Sequence, residues 1–325
     1  MLPRRERPLD GRRGMSGPVL LLTHHACLAH ENFPDHPECP DRLRAVLSAL
    51  EAEEFAPLLR DVAPEATEAQ LLRAHPPAHV AAILAVRPGP GRFVPVDGDT
   101  GMNHASAGAA LRAAGAAVAA VDAVCGPGAV LRAFCATRPP GHHAEPERAM
   151  GFCFFGNAVV AARHAQAAHG LARVAILDFD VHHGNGTQAM VWDDPSILFA
   201  SSHQSPCYPG TGAEAETGAG NVFNATLPPG ADGAAFRAAW AEHLLPAVER
   251  FAPELIVVSA GFDAHARDPL AQLRVREADF AWLTDEICRL AGRHARGRVV
   301  SLLEGGYDLS ALASCAAVHL RALMA

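Results

Sequence analysis

Near-continuous apolar runs alternate with segments of helical period along almost the whole chain, and this alternation restricts the fold more than any other feature. The runs lie at 19–22, 131–136, 173–179, 197–201, 254–260 and 298–303. A strand that is apolar at every position has no face to give to water, so each must be covered on both sides, as in a parallel sheet. The cover is supplied by helical candidates at 41–52, 67–74, 77–86, 104–125, 157–169, 233–250, 277–293 and 309–323, with Asp41 and Asp308 placed as N-caps. No repeat period and no linker interrupt the pattern. The expectation is a single doubly wound α/β domain over residues 18–325, with the Gly/Pro stretches at 87–91, 204–221 and 228–233 as internal loops. Residues 1–17 are rich in Arg, Pro and Gly and lack an apolar stretch, so they read as a disordered extension and not a secretory leader, with Met15 an alternative start.

Composition removes several chemistries. All 27 basic residues are arginine, so the chain has no lysine for a phosphate-binding loop, a Schiff base or a kinase strand. A net charge of −8 argues against nucleic acid as a direct partner and is compatible with cationic substrates. The eight cysteines show no Cys-x-x-Cys spacing, and several sit in apolar stretches. They read as free thiols in a reducing compartment, hence a cytoplasmic protein. The alanine-rich stretch 105–125 is broken by Arg112 and Asp122, so no membrane span is expected.

In open α/β sheets ligands bind at the carboxyl ends of the strands. There the polar residues of this chain gather: Arg138-Pro-Pro-Gly-His142-His143, Asp178-Phe-Asp180-Val-His182-His183-Gly-Asn185, Ser202-His203-Gln204, Gly261-Phe-Asp263-Ala-His265 and Glu304-Gly-Gly-Tyr307. Asp178, Asp180 and His182 alternate at period two, so an extended chain would aim them the same way. Asp180 and His182 can grip one ion, with Asp263 from a neighbouring strand as third ligand. Two carboxylates and an imidazole leave a tetrahedral ion an open position, where it can acidify water and polarise a carbonyl. One such acid alone would read as a loop cap; the set of three in this pattern does not. His142-His143 follows a stiff Pro-Pro-Gly turn, where an imidazole can serve as general base and acid, with Asp178 and Asn185 holding the ring tautomers. The pair His24-His25 shows that two adjacent histidines mean little without that position. Tyr307, one of only two tyrosines, follows two glycines and can donate to an oxyanion. Phe152, directly after Gly151, is the best pocket wall in the run Gly151-Phe-Cys-Phe-Phe155, whose other phenylalanines read as core.

Together with His36-Pro-Glu-Cys-Pro-Asp-Arg42-Leu and Tyr208-Pro-Gly-Thr-Gly, these stretches resemble, in order and over residues 19 to 323, the histone deacetylase superfamily of zinc-dependent amidohydrolases. The resemblance implies an arginase–deacetylase fold with an eight-stranded parallel sheet. It implies Zn2+ on Asp180, His182 and Asp263, with His142 and His143 as the tandem histidines and the second the main base and acid. Tyr307 matches the tyrosine that polarises the acyl carbonyl. Gly151, Phe152, Tyr208 and Leu270 match the substrate tunnel; a phenylalanine is commoner where Tyr208 stands. Asp99 falls about where a rim aspartate holds the substrate. A structural K+ is implied near Asp178, Asp180, His182 and Ser201. Asn185 resembles the class II branch.

The activity so implied is hydrolysis of an acylated amine, with acetyl-lysine in peptides or proteins as the expected substrate and an acetylated polyamine as the alternative. Leu270 stands where some polyamine-selective relatives carry glutamate, while Glu31, Asp35 and Glu38 remain acids available near the mouth. A non-catalytic acetyl-ligand-binding module is a further alternative. A binuclear ureohydrolase would find extra ligands in His265 and Asp268 but lacks the early-strand His-Asp motif. A homo-oligomer is compatible with the sequence.

Overall fold

The computed structural model describes residues 17–325, so the expected extension lies, apart from Gly17, outside the described residues. One eight-stranded, all-parallel sheet forms the frame. Its strands are β1 (Val19–Thr23), β2 (Leu59–Val62), β5 (Arg132–Cys135), β6 (Val174–Asp178), β7 (Ile197–Gln204), β8 (Val222–Leu227), β9 (Leu255–Ala260) and β10 (Val299–Leu303); β3 (Val94–Pro95) and β4 (Gly101–Met102) form a separate small hairpin. The spatial order is β2-β1-β5-β10-β9-β6-β7-β8. After β5 the chain jumps sideways to β6 and builds outward. Its last two strands, β9 and β10, then fill the gap between β5 and β6. The four strands whose ends carry the candidate site are therefore immediate neighbours at the centre of the sheet.

Strand periodicity divides the core. Leu21 and Phe134 point into one apolar layer beneath the helices Glu277–His294 and Leu309–Met324. Leu20, Leu22, Ala133 and Cys135 point into the other, beneath Ser106–Cys125 and Asn157–His169. Ser106–Cys125 is long and apolar enough to cross a membrane by length and composition, but 13 of its residues are buried in the domain, which is the reading of a core helix.

The six apolar runs all become strands. The two strands that the runs did not reveal lie at the edges of the sheet: β2 is exposed throughout, and β8 is buried except at half-buried Phe223 and Thr226. An edge strand has no neighbour on one side and does not need an apolar face on both. Asp308 caps its helix by accepting from Ala311 N–H, as expected. Asp41 does not: the helix Pro40–Ala49 starts one residue earlier, Cys39 is the cap, and Asp41 pairs with exposed Arg44. The expected helix 233–250 is broken into Gly233–Ala238, a π-helical stretch Ala239–Leu244 and Leu245–Phe251. Pro246 has no N–H to return to the preceding turn, which accounts for the local widening. All eight cysteines are free thiols.

Candidate active site

Asp180, His182 and Asp263 meet beyond the ends of β6 and β9, with their donor atoms all within 4.8 Å of one another. His182 Nδ1 lies 3.1 Å from Asp180 Oδ1 and 3.2 Å from Asp263 Oδ2. The residues are those that the sequence pointed to, but the expected cause is corrected. The chain is not extended there: β6 ends at Asp178, and residues 180–182 form bends. Convergence comes from carboxylates turning the backbone. Asp178 Oδ1 accepts from Asp180 N–H at 3.1 Å, and Asp180 Oδ1 accepts from His182 N–H at 3.0 Å. These are two successive Asx-type turns.

The donor set fits a divalent ion. Asp180 Oδ2 and Asp263 Oδ1 are fixed by Gly305 N–H and Val181 N–H, each at 2.8 Å. Asp263 Oδ2 is buried and, apart from the contact with His182 Nδ1 at 3.2 Å, has no polar partner. Burial and the nearby Asp180 charge push the Asp263 carboxyl up to about 7, the mark of negative charge packed without enough positive charge. His265 and Asp268 do not extend the set. Asp268 accepts from the N–H groups of Leu270 and Tyr307, and His265 Nδ1 accepts from Arg267 N–H. The other three-donor group among the described residues, Asp122, His164 and His169, lies between two helices elsewhere. Among the described residues no further group of His, Cys, Asp or Glu donors adjoins the first, so the set does not extend to a binuclear centre of the ureohydrolase kind.

His142 and His143 stack with ring centroids 4.0 Å apart. His142 Nδ1 is 3.0 Å from Asp178 Oδ2, and His143 Nδ1 is 2.8 Å from Asn185 Oδ1, as the sequence pattern anticipated. The two rings sit in opposite fields. Burial disfavours charge on His142, but Asp180 and Asp178 outweigh it and raise the imidazole to about 10 in the metal-free protein. Burial also opposes charge on His143, and the neighbouring His142 and His182 add to it, so its pKa falls well below the ordinary value.

A cavity of 360 Å³ opens over this floor, lined by Asp99, His143, Gly151, Phe152, His182, Tyr208, Leu270 and Tyr307, all anticipated, together with His36 and Pro37, which were not. Phe152 holds a left-handed backbone (φ 68°), fixed by its N–H on Thr100 Oγ1 at 2.9 Å, and its ring meets Tyr307 edge-on at 6.0 Å. Tyr208 meets His143 edge-on at 5.1 Å. Burial raises the Tyr307 phenol well above its ordinary pKa, so it stays protonated as a donor. Arg42 lies 4.8 Å from the centre of its ring. Ser201, the remaining expected ion ligand, stands beside Asp178 in the β6–β7 register. His24-His25 lies outside the cavity.

Glu38, offered above as an acid near the mouth, is instead fully buried and paired, and with Arg42, Arg138 and Glu304, to which sequence reasoning gave no role, it holds this constellation. Buried Glu38 pairs with Arg42 and Arg138; Arg42 donates to the carbonyls of Glu304 and Gly306 beside Tyr307. Glu304 Oε2 accepts from the N–H groups of Gly141 and His142, tying the histidine loop to the strand end that bears Tyr307. All four fall inside the quoted motifs; Arg138 and Glu304 follow apolar strand runs, which was the available signal, whereas Glu38 and Arg42 lie among charged neighbours that gave none.

The fold and site define a hydrolytic deacetylase. A family model described as the histone deacetylase domain matches residues 36–323. The chain is 41% identical over 327 residues to histone deacetylase 14, chloroplastic, of Arabidopsis thaliana, covering 94% of this chain and 76% of that one. It is 41% identical over 286 residues to the histone deacetylase-like amidohydrolase of Pseudomonas aeruginosa, covering 86% and 74%. It is 38% identical over 323 residues to the human polyamine deacetylase HDAC10, covering 94% of this chain and 48% of that one. Among solved structures, the crystal structure of the HDA15 HD domain superposes with a TM-score of 0.88 at 35% identity, covering 95% of this chain and 90% of its own. The chain belongs to the histone deacetylase family, whose members are zinc-dependent, and the eight-stranded parallel sheet is the fold of that family.

Proposed function

We propose that this protein hydrolyses acetyl-lysine in peptides or proteins to the free amine and acetate. The observation that carries the reading is the cavity. Aromatic sides suit an extended aliphatic chain, and a metal-ligand triad, a neutral imidazole and a protonated phenol meet at its floor. Zinc on Asp180, His182 and Asp263 supplies Lewis acidity and lowers the pKa of water at the site. His143 takes the proton from the attacking water as its oxygen bonds to the acyl carbon. Tyr307 O–H donates to the acyl oxygen as that oxygen gains charge. When the C–N bond breaks, His143 returns the proton to the departing amine nitrogen. His142, held by Asp178, stands beside the reacting centre and stacks on His143.

Phe152, Tyr208 and Gly151 form the tunnel in this reading, Leu270 its mouth and Asp99 its rim. A potassium ion at Asp178, Asp180, His182 and Ser201 belongs to the same proposal, supported by the pairing of Asp178 with Ser201. A second reading, an acetylated polyamine, is favoured by acids at the rim. Asp99 lies in the cavity wall, and an adjoining cavity that shares His36 is lined by Glu31 and Asp35. Amine release by zinc-reconstituted protein from an acetyl-lysine peptide and an acetylated diamine, with and without chelator, tests both. Faster chelator-sensitive turnover of the peptide supports the first reading, and faster turnover of the diamine the second. No turnover of either by zinc-loaded protein refutes both and revives a longer acyl group or a binding role.

A further inference from the structure

The contact between His143 and Asn185 can be made in two ways. An imidazole nitrogen can donate or accept, and an asparagine can face it with its oxygen or its amino group. Only one combination leaves His143 Nε2 with a lone pair. The surroundings of Asn185 select it. Its Nδ2 donates to Glu145 Oε1 at 2.8 Å and faces Met150 Sδ at 3.4 Å. A carboxylate and a thioether are both acceptors, so the amino group must point to them. The amide oxygen is then left for His143 Nδ1, 2.8 Å away, and an oxygen there can only accept. Nδ1 carries the hydrogen, and in the neutral ring Nε2 is the free base.

Glu145 itself is absent from the cavity wall. It lies in the turn after the histidine pair, where its N–H donates to Arg148 O at 2.9 Å. Resting on the reading of His143 as the base, we propose that Glu145 is a positioning residue that sets the working tautomer of His143 through the amide of Asn185. Without the carboxylate the amide can turn and present Nδ2 to His143 Nδ1, which favours hydrogen on Nε2 and leaves no base.

The proposal predicts a reversal of sign that a merely structural role does not. Glu145→Ala lowers kcat by on the order of tenfold, the scale found for an outer partner that orients a site group, with KM and zinc content near wild type. Glu145→Gln, whose amide oxygen can still accept from Asn185, restores most of it. In an Asn185→Asp background no amide needs orienting, and Glu145 instead opposes a second carboxylate. There Glu145→Ala raises kcat. Nitrogen-15 NMR of His143 in zinc-loaded, substrate-free protein reads the tautomer directly. It is expected to show hydrogen on Nδ1 in wild type, a mixture in Glu145→Ala, and hydrogen on Nδ1 again in the Asn185→Asp, Glu145→Ala double variant. An unchanged tautomer in Glu145→Ala, or an equal loss of kcat in both backgrounds, overturns the proposal. Failure of the base assignment would show separately, as turnover surviving in His143→Ala, while the spectra still decide what Glu145 does.

Discussion

Gly305→Ala should abolish tight zinc binding without unfolding the domain. The backbone at Gly305 is not in the left-handed region, so alanine is not strained there. Space is the obstacle. A Cβ at 305 would lie 2.5 Å from Asp180 Oδ2 and 2.7 Å from Asp263 Cγ, and closer still to Asp263 Oδ2. Ordinary carbon–oxygen contact begins near ~3.4 Å, so the two carboxylates must retreat by roughly 1 Å. Metal–ligand distances tolerate about 0.2 Å, so both ligands leave bonding range together. We expect zinc affinity to fall on the order of a hundredfold or more, at the upper end of what disturbing a ligand's support costs. The assay is competition with a chromogenic chelator on metal-stripped protein, after circular dichroism and thermal melting have shown that the metal-free variant is folded. Gly292→Ala is the control. Its Cβ meets nothing within 4 Å on the helix Glu277–His294, and alanine there should add about 0.5–1 kcal/mol of stability. Wild-type zinc affinity in a folded Gly305→Ala protein would show that Asp180 and Asp263 are not a fixed ligand pair.

Four further outcomes are expected. Tyr307→Phe keeps full zinc content but loses about a hundredfold or more in kcat; wild-type turnover would remove the phenol from the reaction. Glu38→Ala leaves buried Arg42 and Arg138 without their counter-charge, and denaturant unfolding of metal-free protein should show a loss of roughly 3–5 kcal/mol; an unchanged midpoint would contradict this. Zinc affinity should weaken as pH falls below about 7, because the Asp263 carboxyl, raised to about 7, takes up a proton that competes with the ion; titrations at pH 6 and 8 giving one affinity would exclude it. His319, between Thr284 Oγ1 and Ser301 Oγ, is held neutral by burial with its pKa lowered to about 3. Between roughly pH 6.5 and that value the unfolded chain binds a proton that the folded chain refuses, so stability falls with pH by about 1.4 kcal/mol per unit from this group; a His319→Gln protein with the wild-type pH slope would refute the assignment.

The sheet was legible because six of its strands are apolar on both faces, and a run such as 173–179 has few other ways to fold. Edge strands β2 and β8 carry no such signature: β2 faces water, and β8 includes polar Asn224 and Thr226. The interruption of the helix 233–250 was written in Pro246 but needed the neighbouring turns to decide between a kink, a break and a π-helical widening. In the site, the reactive side chains were legible because strand ends in a parallel sheet converge. The groups that hold them were not. Glu38 meets Arg138 across 100 residues, and Arg42 reaches Gly306 across 264. A charge of that kind looks misplaced in the chain and becomes intelligible only when its distant partner arrives.

The same distinction explains why the right ligands were found for the wrong reason. Period two in Asp178-Phe-Asp-Val-His182 is a property of strands, and it pointed all three polar side chains one way. The protein reaches that arrangement after the strand has ended, by letting each aspartate bind the N–H two residues on. An Asx-type turn repeats at the same interval of two as a strand side chain, so a spacing argument cannot separate them. The difference is physical all the same. An extended strand would fix the ligand backbone through its neighbours in the sheet, whereas here the ligands fix their own backbone. Asp180 is at once a ligand candidate, the acceptor for His182 N–H and the acceptor for Gly305 N–H. Loss of its charge would therefore disturb the ion site, the turn that presents His182 and the strand end that presents Tyr307 together, which is why these functions cannot be assigned to independent residues.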